Sequence, residues 1–217
     1  MEEAASLAES TSILLNVSEF SSIDDATSAL VSTMQAFGYA AEDSMHVVDV
    51  MNEIGNNYAV SSDGIATALQ DSASSLMAAN NSYQEAVALI ASANKVVQDP
   101  NSVGAALRTI SLRLRGTSAS DLESEGEDTT GAITSKSKLR GKIKSLSGVD
   151  ILTDTGAYKS TYKILLEISR VWRDMSDIDQ AALLEIIAGK FCQCVWKHAH
   201  RTHLNPVIPK ALLLQYG

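Results

Sequence analysis

The sequence predicts a mainly α-helical protein, an array of short antiparallel amphipathic helices that pack as helical hairpins. Three observations lead to this prediction. Signals that begin helices recur about every 20 residues in the first half of the chain. Between these signals, apolar residues follow the spacing of a helix face rather than the alternation of a strand. Aromatic residues make up only 5% of the chain, so a core must be built from Ala, Leu, Ile, Val and Met, which favours closely packed helices.

Residues 1–115 form the first predicted domain, a helical-hairpin array. Its first helix covers Glu2–Leu15 and opens without a capping residue, which suggests a piece of a longer protein. The later helix starts carry Ser, Asp or Pro, which favour a helix N-terminus. They are Ser22-Ile-Asp-Asp25, Glu42-Asp43-Ser44, Ser61-Ser62-Asp63, the capping box Ser82-Tyr-Gln-Glu85 and Asp99-Pro100. Because the connections are short and no helix is long enough to be stable alone, neighbouring helices are expected to pack antiparallel.

Each helix after the first has one apolar stripe, which we expect to lie in the core. The stripes are Ile23, Ala26, Leu30, Met34 and Phe37; Val47, Val48, Met51, Ile54 and Tyr58; Ile65, Leu69, Ala73 and Leu76; Tyr83, Val87, Ile90 and Val97; and Val103, Leu107, Ile110 and Leu114. Methionines within this array favour core filling over a ligand groove. They are Met34, Met45, Met51 and Met77.

The second half of the chain divides by charge. Residues 116–135 hold five acids and few apolar side chains, so we predict a flexible acidic linker. Residues 136–190 form the next predicted domain, a basic segment followed by a helical pair. The cations of Lys136–Lys144 roughly balance the linker acids, which favours a solvated or internally paired segment over a nucleic-acid site. One very short β element could form near residues 149–158.

The segment Tyr158–Lys190 predicts two helices joined by a capped break. Ser176, with an acid at Asp179, is an N-cap signature, and Gly189 supplies a helix stop. The apolar faces consist of Ile164, Leu165, Ile168 and Trp172 in the first helix and Ala182, Leu183, Ile186 and Ile187 in the second. This pattern indicates a packed helical pair without a catalytic group.

The same segment resembles a recurring part of phage tail tape measure proteins, the family often called the TP901 core. The shared pattern is S-T-Y-x-I-L-x-x-I-x-x-x-W followed by S-D-x-x-Q-A-A-L-L-E-x-I-A-G-K, with Met175 where the family usually has Leu. Residues 28–76, 104–116 and 145–154 look similar to the same family. Each motif is loose by itself, but their order and spacing together are fairly specific over roughly residues 10–190.

The resemblance implies a non-enzymatic structural protein, a fragment of the tape measure protein of a tailed phage or prophage. In that family a long helical chain lies inside the tail tube, tube subunits polymerise around it, and its length sets the tail length. The implied partners are tail tube subunits, tail assembly chaperones and copies of itself. The implied location is the virion tail, with the host bacterial cytoplasm as the place of assembly. At 217 residues the chain is much shorter than family members usually are, which favours a fragment.

Composition excludes several other classes of protein. A net charge of −9 argues against specific nucleic-acid binding and against adhesion to an anionic membrane surface. No run of about 18 apolar residues is present, so we expect no membrane span. The acidic N-terminus lacks the basic and apolar regions of a signal peptide.

Phe191–Gly217 differs from the rest of the chain, and we predict an atypical tail that is not part of the fold. The tail has no Asp or Glu, although the preceding residues carry all 26, and it holds both Cys and three of the four His. In the resembled family the sequence after A-G-K continues as a polar and apolar helix. We therefore hypothesise a reading-frame change or a damaged gene. Resequencing that finds an uninterrupted family-like frame through codon 191 would contradict this hypothesis.

The tail also contains side chains that could bind a metal, since zinc takes thiolate and imidazole ligands. These are Cys192, Cys194, His198, His200 and His203. Their spacing fits no common structural zinc pattern, so an accidental cluster is the better interpretation. We predict no metal site.

The remaining polar candidates also favour structural roles. His46 lies near no nucleophile motif, and no phosphate-binding glycine loop is present. The acidic pairs Asp24-Asp25, Glu42-Asp43 and Asp177-Asp179 lie in first turns of helices, where carboxylates are stabilised by the helix dipole. We therefore predict no catalytic and no cofactor-binding residues.

Two further functions remain open from the sequence. The chain could be a small helical adaptor or effector-like module that binds proteins through one exposed stripe, or a metal-dependent protein that uses the tail. Neighbouring genes for tube and baseplate proteins would favour the phage tail function. A gene beside a secretion system would favour the adaptor, and loss of fold on chelation the metal-dependent protein.

Overall fold

Ten α-helices form the part of the chain that the computed structural model describes, which is residues 2–58 and 60–201, with the backbone alone at residues 2 and 190–201. The helices are α1 (Glu2–Val17), α2 (Ile23–Phe37), α3 (Ser44–Asn57), α4 (Ser62–Ala78), α5 (Tyr83–Val97), α6 (Pro100–Leu114), α7 (Ala119–Ser124), α8 (Lys136–Ser147), α9 (Thr161–Val171) and α10 (Asp177–Arg201). The predicted mainly α class is confirmed. The expected β element is one isolated antiparallel bridge between Leu152 and Tyr158, and the described residues contain no strand.

The capping residues mark the helix starts as predicted. Ser22 accepts a hydrogen bond from the backbone N–H of Asp25 at the start of α2, and Ser61 caps α4 in the same way. At the start of α5, Ser82 and Glu85 form the expected reciprocal capping box. Pro100 is the first residue of α6, a position where a missing N–H costs nothing.

One continuous hydrophobic core extends from Leu14 in α1 to Ala188 in α10. Aliphatic residues make up most of it, as the composition predicts, and the few buried aromatic rings include Tyr83. Met34 and Met51 lie in this core, whereas Met77 at the end of α4 is 48% exposed. The helices thus stabilise one another across the whole described part of the chain.

The largest helix contact joins α4 and α6, which are not neighbours in sequence. Short connections make α4 and α5, and then α5 and α6, antiparallel, so α4 and α6 run in the same direction. A Cβ at Gly104 would lie 2.5 Å from the carbonyl oxygen of Ala68, and one at Gly64 would lie 3.2 Å from Cγ of Pro100. Small residues therefore let these two helices approach backbone to backbone.

Residues 116–135 carry more structure than their composition suggests. They contain the helix α7, which Ser118 caps, and Leu122 of this helix is fully buried. The flexibility predicted for residues 116–135 stays a prediction, as does the division of the chain into domains.

Outside the array, two of the basic residues of α8 pair within the chain. Arg140 and Lys144 bind Asp150, at 2.7 and 3.1 Å, rather than the acids of residues 116–135.

No helix in the described ranges is both long and apolar enough to cross a lipid bilayer. The predictions for Phe191–Gly217 lie outside the described side chains.

Candidate functional site

The motif residues of the C-terminal helical pair lie where this pair docks on the helical array. Ser160 begins α9 by accepting a hydrogen bond from the N–H of Lys163. The hydroxyl of Thr161 lies 3.1 Å from that of Ser111 in α6, and both are buried. The backbone N–H of Tyr162 donates to the side chain of another helix end. The S-T-Y motif thus joins α9 to the array.

That acceptor is Asn81, in the turn between α4 and α5. Its Oδ1 lies 2.9 Å from the N–H of Tyr162, while its Nδ2 donates to the carbonyl of Leu76 at 2.7 Å. The neighbouring Asn80 adopts a positive φ of 59° and donates to the carbonyl of Tyr158 at 3.0 Å. One turn of the array therefore satisfies polar groups at the start of α9, where helix N–H groups have no partner of their own.

Arg115, just after α6, completes this contact. Its guanidinium lies over the ring of Tyr158, 4.6 Å from the centroid, and donates to the carbonyl of Lys159 at 3.3 Å. Burial raises the pKa of Tyr162 to about 12, so its phenol stays protonated at neutral pH. These groups hold the start of α9 against the array.

The break between α9 and α10 is closed by its own motif residues. Ser176 and Asp179 bond reciprocally, and Gln180 donates to the carbonyls of Trp172 at 2.8 Å and Met175 at 3.3 Å. The Gln of the Q-A-A-L-L motif therefore binds carbonyls at the end of the preceding helical segment.

We call the contact between the α9–α10 pair and the array the junction. Arg113, in the last turn of α6, donates to four backbone carbonyls there. Only 1% of its side chain is exposed. It donates to the carbonyls of Glu185 and Ile186 at 3.1 and 3.3 Å. A cation at these last carbonyls before Gly189 stabilises the C-terminal end of a helical segment.

Arg113 also holds the acidic strap, which we define as residues 125–131. It donates to the carbonyls of Asp128 and Thr130, and its guanidinium lies 3.9 Å from the Asp128 carboxylate. Five residues earlier in α6, Arg108 pairs with Glu127 at 2.8 Å. The helix α6 thus binds the strap through Arg108 and Arg113, and it binds α10 through Arg113.

Gly189 lies directly against this arginine. Its backbone has φ 63° and ψ −173°, which breaks helical geometry inside α10. A Cβ there would be 2.7 Å from Nη2 of Arg113. The predicted helix stop at Gly189 is therefore a break, after which helical backbone continues to Arg201.

Comparison with known proteins identifies the family of the chain that carries these motif residues. Residues 1–189 match the model of the phage-related minor tail proteins. The chain belongs to this family. No solved structure matches it. Membership makes this chain a protein of phage tails, and the match includes the motif from Tyr158 to Gly189.

Sequence analysis had found some of the junction of this minor tail protein but not all of it. Ser176, Asp179 and Gly189 were predicted as local caps and stops, and they lie where expected. Asn81 and Arg113 were missed, because their partners are distant in sequence. One signal was available for Arg113: it interrupts the apolar run of α6 three residues after buried Ile110.

The polar residues assigned structural roles have partners that fit those roles. Nε2 of His46 lies 2.8 Å from Nε2 of Gln84, and its ring meets Tyr39 edge-on. The hydroxyls of Ser22 and Ser21 bind the Asp25 carboxylate and lower its pKa. In the described part of the minor tail protein, no three His, Cys, Asp or Glu side chains come together as metal ligands. The Cys and His cluster of the tail lies outside the described side chains.

Proposed function

We propose that this minor tail protein is the tape measure protein of a tailed phage or prophage, or a fragment of it. It acts without catalysis, by templating the assembly of the tail tube and setting tail length. The observation that carries the proposal is the role of the motif at Tyr158–Lys190. Its characteristic polar residues are Ser160, Thr161, Gln180 and Gly189. Thr161 bonds to α6, and Gln180 bonds to the end of the preceding helical segment. Ser160 caps α9, and Gly189 leaves the space that Arg113 fills.

The partners that follow from this proposal are tail tube subunits, tail assembly chaperones and further copies of the chain. They would meet during assembly in the cytoplasm of the host bacterium. A protein with this role needs helical segments that repeat along the chain and expose polar faces, and α1 to α6 are such a series.

The test is to change the length of the chain in a phage that carries the gene. Duplicating residues 61–115 repeats α4 to α6 with the N-cap Ser61 and the C-cap Arg115. An insertion that lies as one extended helix would lengthen the tail by about 80 Å, from a rise of about 1.5 Å per residue. An insertion that stays folded as hairpins would add a smaller increment, about 10 Å for each helix layer. Tail length is measured by electron microscopy of negatively stained particles.

A length-neutral variant is the control. Lys163→Gln changes one exposed residue of α9 and should leave tail length unaltered. Particles that contain the duplicated protein but have tails of the original length would contradict the tape measure function. Normal tails after deletion of the gene would favour the adaptor function instead.

A further inference from the structure

The outer face of α8 is strongly basic. All five basic residues of this helix are exposed, and α8 contains no acid. Arg140 and Lys144 are held by Asp150. Lys138 and Lys142, one turn apart, make no ion pair with the described residues. Two like charges on one side of a helix repel each other, so an acidic partner would stabilise them.

Gly141 lies at the centre of this exposed face, opposite the buried Leu139 and Ile143. A Cβ at Gly141 would meet no atom within 4 Å. Glycine is a poor helix former, and nothing inside the fold requires it here. Ser137 and Ser145, one turn to either side, are also small and exposed. The surface therefore allows a partner backbone to approach closely between flanking cations.

A surface of matching shape and opposite charge lies on α1. One side of α1 packs on α2 and α3. The other side exposes Ala5, Ala8 and Ser12, again small residues about one turn apart. Glu9 lies on the same exposed side, and α1 contains no basic residue.

We propose that α8 of one copy of this protein docks on α1 of a second copy. In this arrangement the small residues of the two helices face each other, and Lys138 and Lys142 lie beside Glu9. Because the two surfaces differ, each pair still has one free α1 and one free α8, and further copies add head to tail. The proposal deepens the self-association in the proposed function and names its surfaces.

A second copy fits this surface better than nucleic acid does. The net charge of −9 repels a polyanion, and α8 contains no aromatic residue on which a base could stack. A contact about three helical turns long buries well under the roughly 800 Å² that each partner buries in a stable interface. The association should therefore be weak, and salt should weaken it further because charge pairs at its edge are screened.

The test is sedimentation velocity of the full chain from about 10 µM to about 1 mM, a range that detects weak association. We expect the average mass to rise with concentration and to fall when salt is raised to about 0.5 M. The double variant Lys138→Glu/Lys142→Glu should associate at least about tenfold more weakly. Adding Glu9→Lys to that variant should restore part of the association, because the new glutamates on α8 then face a cation on α1.

Two variants separate docking from folding. Gly141→Gln should keep or raise the melting temperature, since it improves helix propensity at an open position. It should also weaken association, because its side chain fills the space that the partner helix would occupy. Lys163→Glu makes the same kind of charge change on α9 and should associate as the wild type does.

A protein that stays monomeric throughout, or charge reversals on α8 without effect, would overturn the proposal. So would binding of a duplex DNA oligonucleotide near physiological salt that the α8 reversals abolish. These results are separable from the tail-length test. A monomeric chain whose duplication lengthens tails would remove the α8–α1 contact alone, and an associating chain without effect on tails would remove the tape measure function alone.

Discussion

The two ends of α6 contact their neighbours in opposite ways. Near its beginning, Gly104 lets α6 approach the backbone of Ala68 in α4, because no side chain stands between them. Near its end, Arg113 fills the space between α6, the acidic strap and α10, and binds carbonyls on two sides. The first contact depends on the absence of a side chain and the second on the reach of one. They should therefore fail under different substitutions.

The largest expected effect is at Arg113. Arg113→Met keeps the length of the side chain but removes the donors, which leaves buried carbonyls without partners. We expect a loss of about 3–5 kcal/mol in the free energy of unfolding, measured by urea denaturation followed by circular dichroism. Arg113→Lys should recover only part, because one ammonium cannot reach both groups of carbonyls.

A matched exposed arginine provides the control for Arg113. Arg173→Met should change stability by less than about 0.5 kcal/mol, since Arg173 is exposed. An equally small loss for Arg113→Met would show that the end of α6 is held by packing alone.

The next effect is at the other end of α6. Gly104→Ala places a Cβ 2.5 Å from the Ala68 carbonyl, so the two helices must separate. We expect a loss of about 1–3 kcal/mol, because overpacking at a backbone contact outweighs the gain in helix propensity. Gly141→Ala makes the same change in open space and should stabilise by up to about 1 kcal/mol. If both glycines respond alike to alanine, α4 and α6 do not depend on close approach.

A smaller effect should appear at Gly189, and it links the junction to Arg113. Gly189→Ala meets the guanidinium at 2.7 Å and has an unfavourable positive φ. We expect a cost of about 1–2 kcal/mol. In the Arg113→Met background the cost should fall, since the crowding group is gone, and a double-mutant cycle measures the difference. Strict additivity of the two losses in stability would mean that Gly189 and Arg113 do not interact.

The smallest effect concerns pH and lies outside both contacts. The guanidinium of Arg140 holds the pKa of the Asp150 carboxyl well below its usual range. A lowered folded-state pKa contributes stability that is complete above the unfolded pKa of about 3.9 and is lost as the pH falls below it. Because the pair is partly exposed, the contribution should be at most about 1 kcal/mol.

Comparing the wild type with Asp150→Asn in urea at neutral and at acid pH measures this contribution. The difference between the two proteins should shrink as the pH falls. A difference that does not depend on pH would exclude the carboxylate as its source.

Prediction from sequence succeeded where the partners of a residue are close in the chain. Ser22, Ser61 and Ser82 cap helices through N–H groups a few residues away, so the pattern alone places them. Gly189 was predicted as a helix stop, and the structure has a break in helical geometry there. The acidic strap was predicted as part of a flexible linker, because its partners Arg108 and Arg113 lie in another helix.

By itself the sequence determined most of the helices, their starts and most of the faces they bury, since caps and apolar periodicity act over a few residues. It did not predict α7, and Ile23 of a predicted core stripe is exposed. Tertiary structure alone decided that α4 and α6 run side by side, and that Asn81 and Arg113 bind the ends of helices far along the chain. The physical reason is distance along the chain. A buried carbonyl or N–H group needs a partner, but its own sequence does not say which distant side chain will reach it.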